Sequence, residues 1–223
     1  MKKIVLILQI AFLFASTGIK AQTSFTEVDV RSAAKVIIDY GSKCSYRLSD
    51  SSYTDKMNIF VHGNKLIIDT KINEYSSMPV VYVTMPKIEK INVDGAGKAV
   101  ISGNFEIEKL KADITGAAII KIMERPVINT IDVTISGAGG VKIETIKHVS
   151  FAKVDISGAG FFSADNTCIE NLKIDISGAA VANVCVSKSI KANISGLGVL
   201  TYSGDPKTRK INNYGLGIVQ IKN

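Results

Sequence analysis

The 223-residue sequence holds no tryptophan, only two histidines and only three cysteines, and aromatic residues make up 7% of it. Each scarcity removes a class of function. Without tryptophan, and with tyrosine and phenylalanine thinly spread, a sugar-stacking cleft of the usual kind is not visible, although tyrosine and phenylalanine can still serve singly. His62 falls in a turn and His148 in a connecting segment, and neither has neighbours at ligand spacing, so no metal site or cofactor is indicated. Cys44, Cys168 and Cys185 are too few for a disulfide framework and leave room for one bridge at most. Cys185 lies inside the apolar run VANVCVS, which reads as a buried free thiol.

Long apolar runs are also short in supply. The longest, Ile4 to Ala15, is broken only by Gln9 and follows Lys2 and Lys3. A run of about twelve residues is too short to span a bilayer, and this layout is that of a secretory signal peptide covering residues 1–21, with cleavage after Ala21. No cysteine stands near that point to carry a lipid. Loss of the leader's three lysines lowers the formal charge from +7 to +4. That excess suits an envelope protein and is compatible with anionic glycans or membrane surfaces, but it is too weak to indicate nucleic acid.

Glycine, by contrast, is abundant and ordered. The segment VDISGAGFF would by itself suggest a phosphate-cradling loop, but it is one of seven siblings: VDGAGKAVI, ITGAAIIKI, ISGAGGVKI, ISGAGFFSA, ISGAAVANV, ISGLGVLTY and NYGLGIVQI. The leading turn glycines are Gly95, Gly116, Gly137, Gly158, Gly178, Gly196 and Gly215, at spacings of 21, 21, 21, 20, 18 and 19. A period near twenty marks a solenoid.

Two residues before each glycine stand Val93, Ile114, Ile135, Ile156, Ile176, Ile194 and finally Asn213. Four before it stand Ile91, Ala112, Val133, Val154, Ile174, Ala192 and Ile211. Offsets that differ by two share one face of a strand, and this face is apolar. The odd offsets are wet: Asp113, Asp155 and Asp175 recur three before the glycine, and Lys90, Lys111, Lys153, Lys173, Lys191 and Lys210 recur five before it, with Asp132 balancing charge in the third repeat. Past the turn, apolar residues return at four and six, as in Val141 and Ile143. The residue two past the glycine is never larger than alanine, as expected where a bend in one coil presses on the next, and the leading glycine is expected to supply a positive φ.

One such unit cannot bury enough apolar surface to offset the entropy of ordering it, whereas stacked units share one core and pair their backbones along the axis. The expected fold is all-β: a right-handed parallel β-helix of about twenty residues per coil over residues 88–223, since parallel crossovers take that hand. Residues 22–87 read as a β-rich section that covers one open end. Within it MNIFVHGNKLIIDT places Gly63-Asn64 between two alternating runs, a hairpin signal.

The repeated ISGAG turns, the entry segment VVYVTMPKIEKINVDGAG and the secretory leader together resemble the head GIN domain family of putative auto-transporter adhesins, across about Ser24 to Asn223. The resemblance implies a β-helix shaped like the pectin-lyase-like proteins, and a protein that is secreted, periplasmic, outer-membrane-associated or on the cell surface of a Gram-negative bacterium. It supplies no catalytic residues.

The leading functional expectation is therefore a non-catalytic binding or adhesion module. The lysine column is its candidate track for an anionic glycan or for a host or envelope surface component, and the bland alternative is a solvated face that resists aggregation. A second surface lies three past the glycine, where Lys98, Ile119, Gly140, Phe161, Val181, Val199 and Ile218 would form an apolar stripe for self-association if they point outward. A polysaccharide-active enzyme is the alternative from another class, and it needs Asp113, Asp155 and Asp175 in one groove. A structural envelope component is the third reading.

Overall fold

The computed structural model describes residues 20–21, 24–70, 78–123, 126–144 and 149–222. The expected leader up to residue 19, and His148, lie outside the described residues.

Strict alternation with a glycine stop makes each repeat one coil of a parallel β-helix. The strands before the turns, Lys90–Gly95, Glu106–Gly116, Val127–Gly137 and Val149–Gly158, pair in parallel, and the sheet continues through the later parts of Phe161–Gly178 and Val181–Gly196 to Thr208–Asn213. Strands after the turns, Lys98–Ile101, Ile119–Ile122 and Gly140–Ile143, build the second sheet with the first parts of Phe161–Gly178 and Val181–Gly196, then Val199–Ser203 and Ile218–Ile221. Like sits on like: Val93, Ile114, Ile135, Ile156, Ile176 and Ile194 are mutually in register and all buried. The returns add a third wall to the core, with Ile107 and Leu110, Ile128 and Ile131, Ile169 and Leu172, and Val186 and Ile190 all facing inward.

The turns are bonded along the axis as well. Ala138 N donates to Gly116 O at 2.8 Å and Ala159 N to Gly137 O at 2.9 Å. Six of the seven leading glycines have positive φ, from +87° at Gly95 to +121° at Gly158. Gly215 departs from the expectation. In the last coil Asn213 replaces the inward isoleucine, lies exposed, and its side chain accepts from Gly215 N and donates to Gly217 O, so a side chain shapes this turn. Two residues on, the small column is confirmed as a packing contact: a Cβ on Gly139 would stand 2.5 Å from both Ala118 O and Ile114 Cγ2.

The N-terminal section does more than cover the end. Glu27–Val30 and Lys35–Tyr40 form a coil that pairs in parallel with Lys90–Gly95 and Lys98–Ile101. On its other side lie Lys65–Thr70 and Val80–Met85, so the later segment occupies the outer position. Met57–His62 joins Lys65–Thr70 in an antiparallel hairpin through Gly63-Asn64, as the sequence indicates, with Gly63 at φ +62°. Ser45–Leu48 lies antiparallel on Val80–Met85 and carries the short strand Lys20–Ala21 on its far edge. Among the described residues these three pairings are the antiparallel ones, and they close the N-terminal end.

The cysteines correct the sequence reading. Cys168 and Cys185 are opposite each other in adjacent coils and form a disulfide across a Cα separation of 4.6 Å. Val184 and Val186 take the inward positions, so alternation turns Cys185 to the outside, where it is half-buried and Cys168 is exposed. Cys44 alone is free and buried, accepting a long hydrogen bond from Phe25 N at 3.4 Å.

Candidate functional site

The outer face of the first sheet is an array of three polar columns. Three residues before the glycines, Asp113, Thr134, Asp155, Asp175, Asn193 and Asn212 follow one another in register; one before them, Ser136, Ser157, Ser177 and Ser195 do the same. The column continues into the N-terminal coil, where buried Asp29 receives Asn92 Nδ2 at 2.7 Å and Arg31 at 2.8 and 3.0 Å. The sequence reading missed that extension, because no glycine turn marks the coil, and it left the serine column unremarked although every ISG motif displays it.

The six lysines do align, but in two different states. Lys90 and Lys111 flank Asp113 at 3.0 and 3.5 Å, Lys153 lies 2.5 Å from Asp155, and Lys173 lies 3.5 Å from Asp175. The bond to Asp155, with Asp132 and Asp175 nearby, raises the pKa of Lys153. Lys191 and Lys210 are exposed and have no carboxylate partner among the described residues; their coils carry Asn193 and Asn212 where the coils of Lys111, Lys153 and Lys173 carry aspartate. Those amides bond to the column instead: Asn193 Nδ2 donates to Asp175 Oδ1 at 2.5 Å and Asn212 Nδ2 to Asn193 Oδ1 at 2.8 Å.

An open groove of about 350 Å³ runs across four coils of this face, from Thr134 and Ser136 past Asp155 and Asp175 to Asn193 and Ser195. Asp155 and Asp175 therefore share a groove, while Asp113 is set apart by the coil that bears Thr134. Along the groove hydroxyl, carboxylate and amide side chains recur from coil to coil, over a mostly apolar lining to which Ile135, Ile156 and Ile176 also contribute. No group of three or more metal-ligating side chains occurs among the described residues.

The second sheet presents the apolar column. Phe161, Val181 and Ile218 are exposed, Ile119 and Val199 half-buried, and all point outward. Gly140 leaves the space that the Phe161 ring of the next coil fills.

Parallel coils with in-register glycine corners, a capped N-terminal end and a repeated polar face define a β-helical repeat protein. The chain belongs to the family described as putative auto-transporter adhesin, head GIN domain, which it matches over residues 24–206. Solved structures of the same fold include a putative adhesin from Bacteroides fragilis, with 17% identity and a TM-score of 0.77, covering 92% of this chain and 95% of that one. A putative adhesin from Parabacteroides distasonis has 17% identity and a TM-score of 0.68 over 92% of this chain and 95% of its own. A putative lipid binding protein from the same species has 16% identity and a TM-score of 0.71 over 93% and 96%. No curated protein matches the chain.

Proposed function

We propose that this protein is a secreted or surface-exposed binding module, an adhesin without catalysis, whose polar face holds an anionic glycan or another component of a cell surface. The observation that carries the reading is the groove over Thr134 to Ser195, where donors and acceptors recur from coil to coil, at about 4.8 Å. A chain-like ligand laid across the coils meets the same groups several times. Lys191 and Lys210 at one end of the face supply uncompensated positive charge, which favours an acidic ligand. The family's name supports a place at the cell exterior, and so does a solvent-facing disulfide, a bond that persists in oxidising compartments. No helix among the described residues is long and apolar enough to cross a membrane.

Catalysis on polysaccharide needs carboxylates converging on one sugar. Here Asp113, Asp155 and Asp175 are rungs of a ladder, each paired to a lysine of its own coil. The test is a glycan array with the wild type and with Lys191→Glu/Lys210→Glu. Acidic glycans should bind, and the double variant should bind them at least tenfold more weakly. No ligand, or equal binding by the variant, refutes the reading. Release of products from an acidic polysaccharide, abolished in Asp155→Asn/Asp175→Asn, would replace it with the enzyme.

A further inference from the structure

The residue after the turn glycine changes character along the helix. It is Ala96, Ala117, Ala138, Ala159 and Ala179 in the first five coils, then Leu197 and Leu216 in the last two. The backbone gives no reason for the change, since Leu197 N donates to Gly178 O at 2.9 Å just as Ala179 N donates to Gly158 O at 2.9 Å. The leucines gain little packing: they are 61% and 83% exposed. Tyr214, where earlier coils carry aspartate, threonine or serine, is 75% exposed, and Ile218, past the turn at the start of the next strand, is 52% exposed. Large apolar side chains on a convex corner, costly to leave in water, mark a contact surface.

Charge selects what that surface meets. Residues 186–222 contain Lys188, Lys191, Lys207, Arg209, Lys210 and Lys222 against the single acid Asp205, a net +5, while residues 22–185 hold 18 cations and 19 acids. The whole positive excess of the chain beyond its leader therefore sits on the coils that bear the leucines. Lys188 pairs with Glu170 and Arg209 with Asp205, whereas Lys191, Lys207 and Lys210 have no carboxylate partner among the described residues. Two copies meeting end to end would bring like charges together. An anionic surface would not, and a convex ridge suits a yielding surface better than a cleft.

We propose that the C-terminal coils form a docking edge for an anionic phospholipid membrane. Leu197, Leu216 and Ile218 enter the boundary between headgroups and acyl chains, Tyr214 lies at the headgroup level with its hydroxyl in water, and Lys191, Lys207 and Lys210 face the phosphates. Neither contribution anchors the protein alone, so attachment is reversible and needs both apolar side chains and charge.

The experiment is vesicle co-sedimentation of the protein with phosphatidylcholine alone and with phosphatidylcholine containing phosphatidylglycerol, at low and high salt. Each cation close to an anionic surface is worth about fivefold in partitioning, so three give on the order of a hundredfold preference for the anionic vesicles, lost at high salt. Leu197→Ala/Leu216→Ala installs the alanine that five other coils already carry, so its fold is retained, and its binding should fall at least tenfold. The proposal is overturned by a wild type that ignores phosphatidylglycerol vesicles, or by a leucine variant that binds as the wild type does. It is also overturned if sedimentation velocity shows a wild-type dimer that the leucine variant dissolves, which would give the ridge to a second copy. Glycan binding in the same leucine variant should be unchanged, which separates the apolar side chains of this edge from the polar groove, with which the edge shares Lys191 and Lys210.

Discussion

Replacing Gly158 and Gly95 by alanine, one at a time, separates two demands on the turn glycines. At Gly158 φ is +121°, and a Cβ would stand 2.5 Å from Gly137 O and 3.1 Å from its carbonyl carbon. At Gly95 φ is +87°, but nothing lies within 4 Å, because the adjoining N-terminal coil has no glycine corner. Holding an L-residue in such a conformation costs about 1–3 kcal/mol, and forcing a methyl into an occupied contact adds about 1–3 kcal/mol. Gly95→Ala should therefore lose about 1–3 kcal/mol and Gly158→Ala about 2–6 kcal/mol. Urea unfolding followed by circular dichroism reads both as shifts in midpoint at unchanged slope. Equal losses in the two variants would show that close stacking of the corners is not what the glycines serve.

The Cys168–Cys185 bridge closes a loop of 17 residues. Its removal in Cys168→Ser/Cys185→Ser should cost about 3 kcal/mol; identical urea curves with and without reductant would contradict this. Stability should also fall in acid. The Ser52 backbone N–H holds the Asp50 carboxyl below its usual range, Lys87 and Thr26 do the same for Glu89, and the Ser163 hydroxyl for Asp165. Groups whose folded pKa is depressed stabilise the fold above the ordinary value and lose that contribution as pH falls through the folded one. Melting temperature should thus decline once the pH drops below about 4.5. The raised pKa of Lys142, bonded to Glu144, and of Lys153, bonded to Asp155, has the opposite sign, and their contribution is lost only above pH 10.5. Thermal melts across that range test both ends, and an unchanged melting temperature in acid would refute the assignment.

The repeat was legible because alternation and the glycine stop are written into every coil. Ile135, Val141 and Ile143 are buried as their offsets require, and only in the last coil do Ile211, Val219 and Ile221 lack full cover. The N-terminal coil was not legible. Arg31 to Ala34 connect its strands without a leading glycine, and its neighbour on one side comes from residues 65–85, an order that no sequential period reveals. The disulfide escaped for a related reason. Alternation alone puts Cys185 outside, but its partner stands ten residues past Gly158 while Cys185 stands seven past Gly178, and the two meet only through a register shift between Ala164 and Cys168. At the candidate site the lysine column was plain, whereas its division into paired and unpaired members depends on which coils exchange aspartate for asparagine and on contacts across coils.

The interleaved N-terminal coils bear on how such a molecule changes length. Glu27–Val30 is held between Lys65–Thr70 and Lys90–Gly95, so a segment duplicated there would have to part strands already paired on both sides. Between Gly95 and Gly196 each turn glycine is followed within 18 to 21 residues by its counterpart in the next coil, and a duplicated unit meets the same neighbours as its parent. Gain or loss of whole units is therefore confined to the glycine-turned part of the chain. Each unit gained moves the leucine-tipped end about 4.8 Å farther from the closed end, so reach can vary among relatives while both ends stay unaltered.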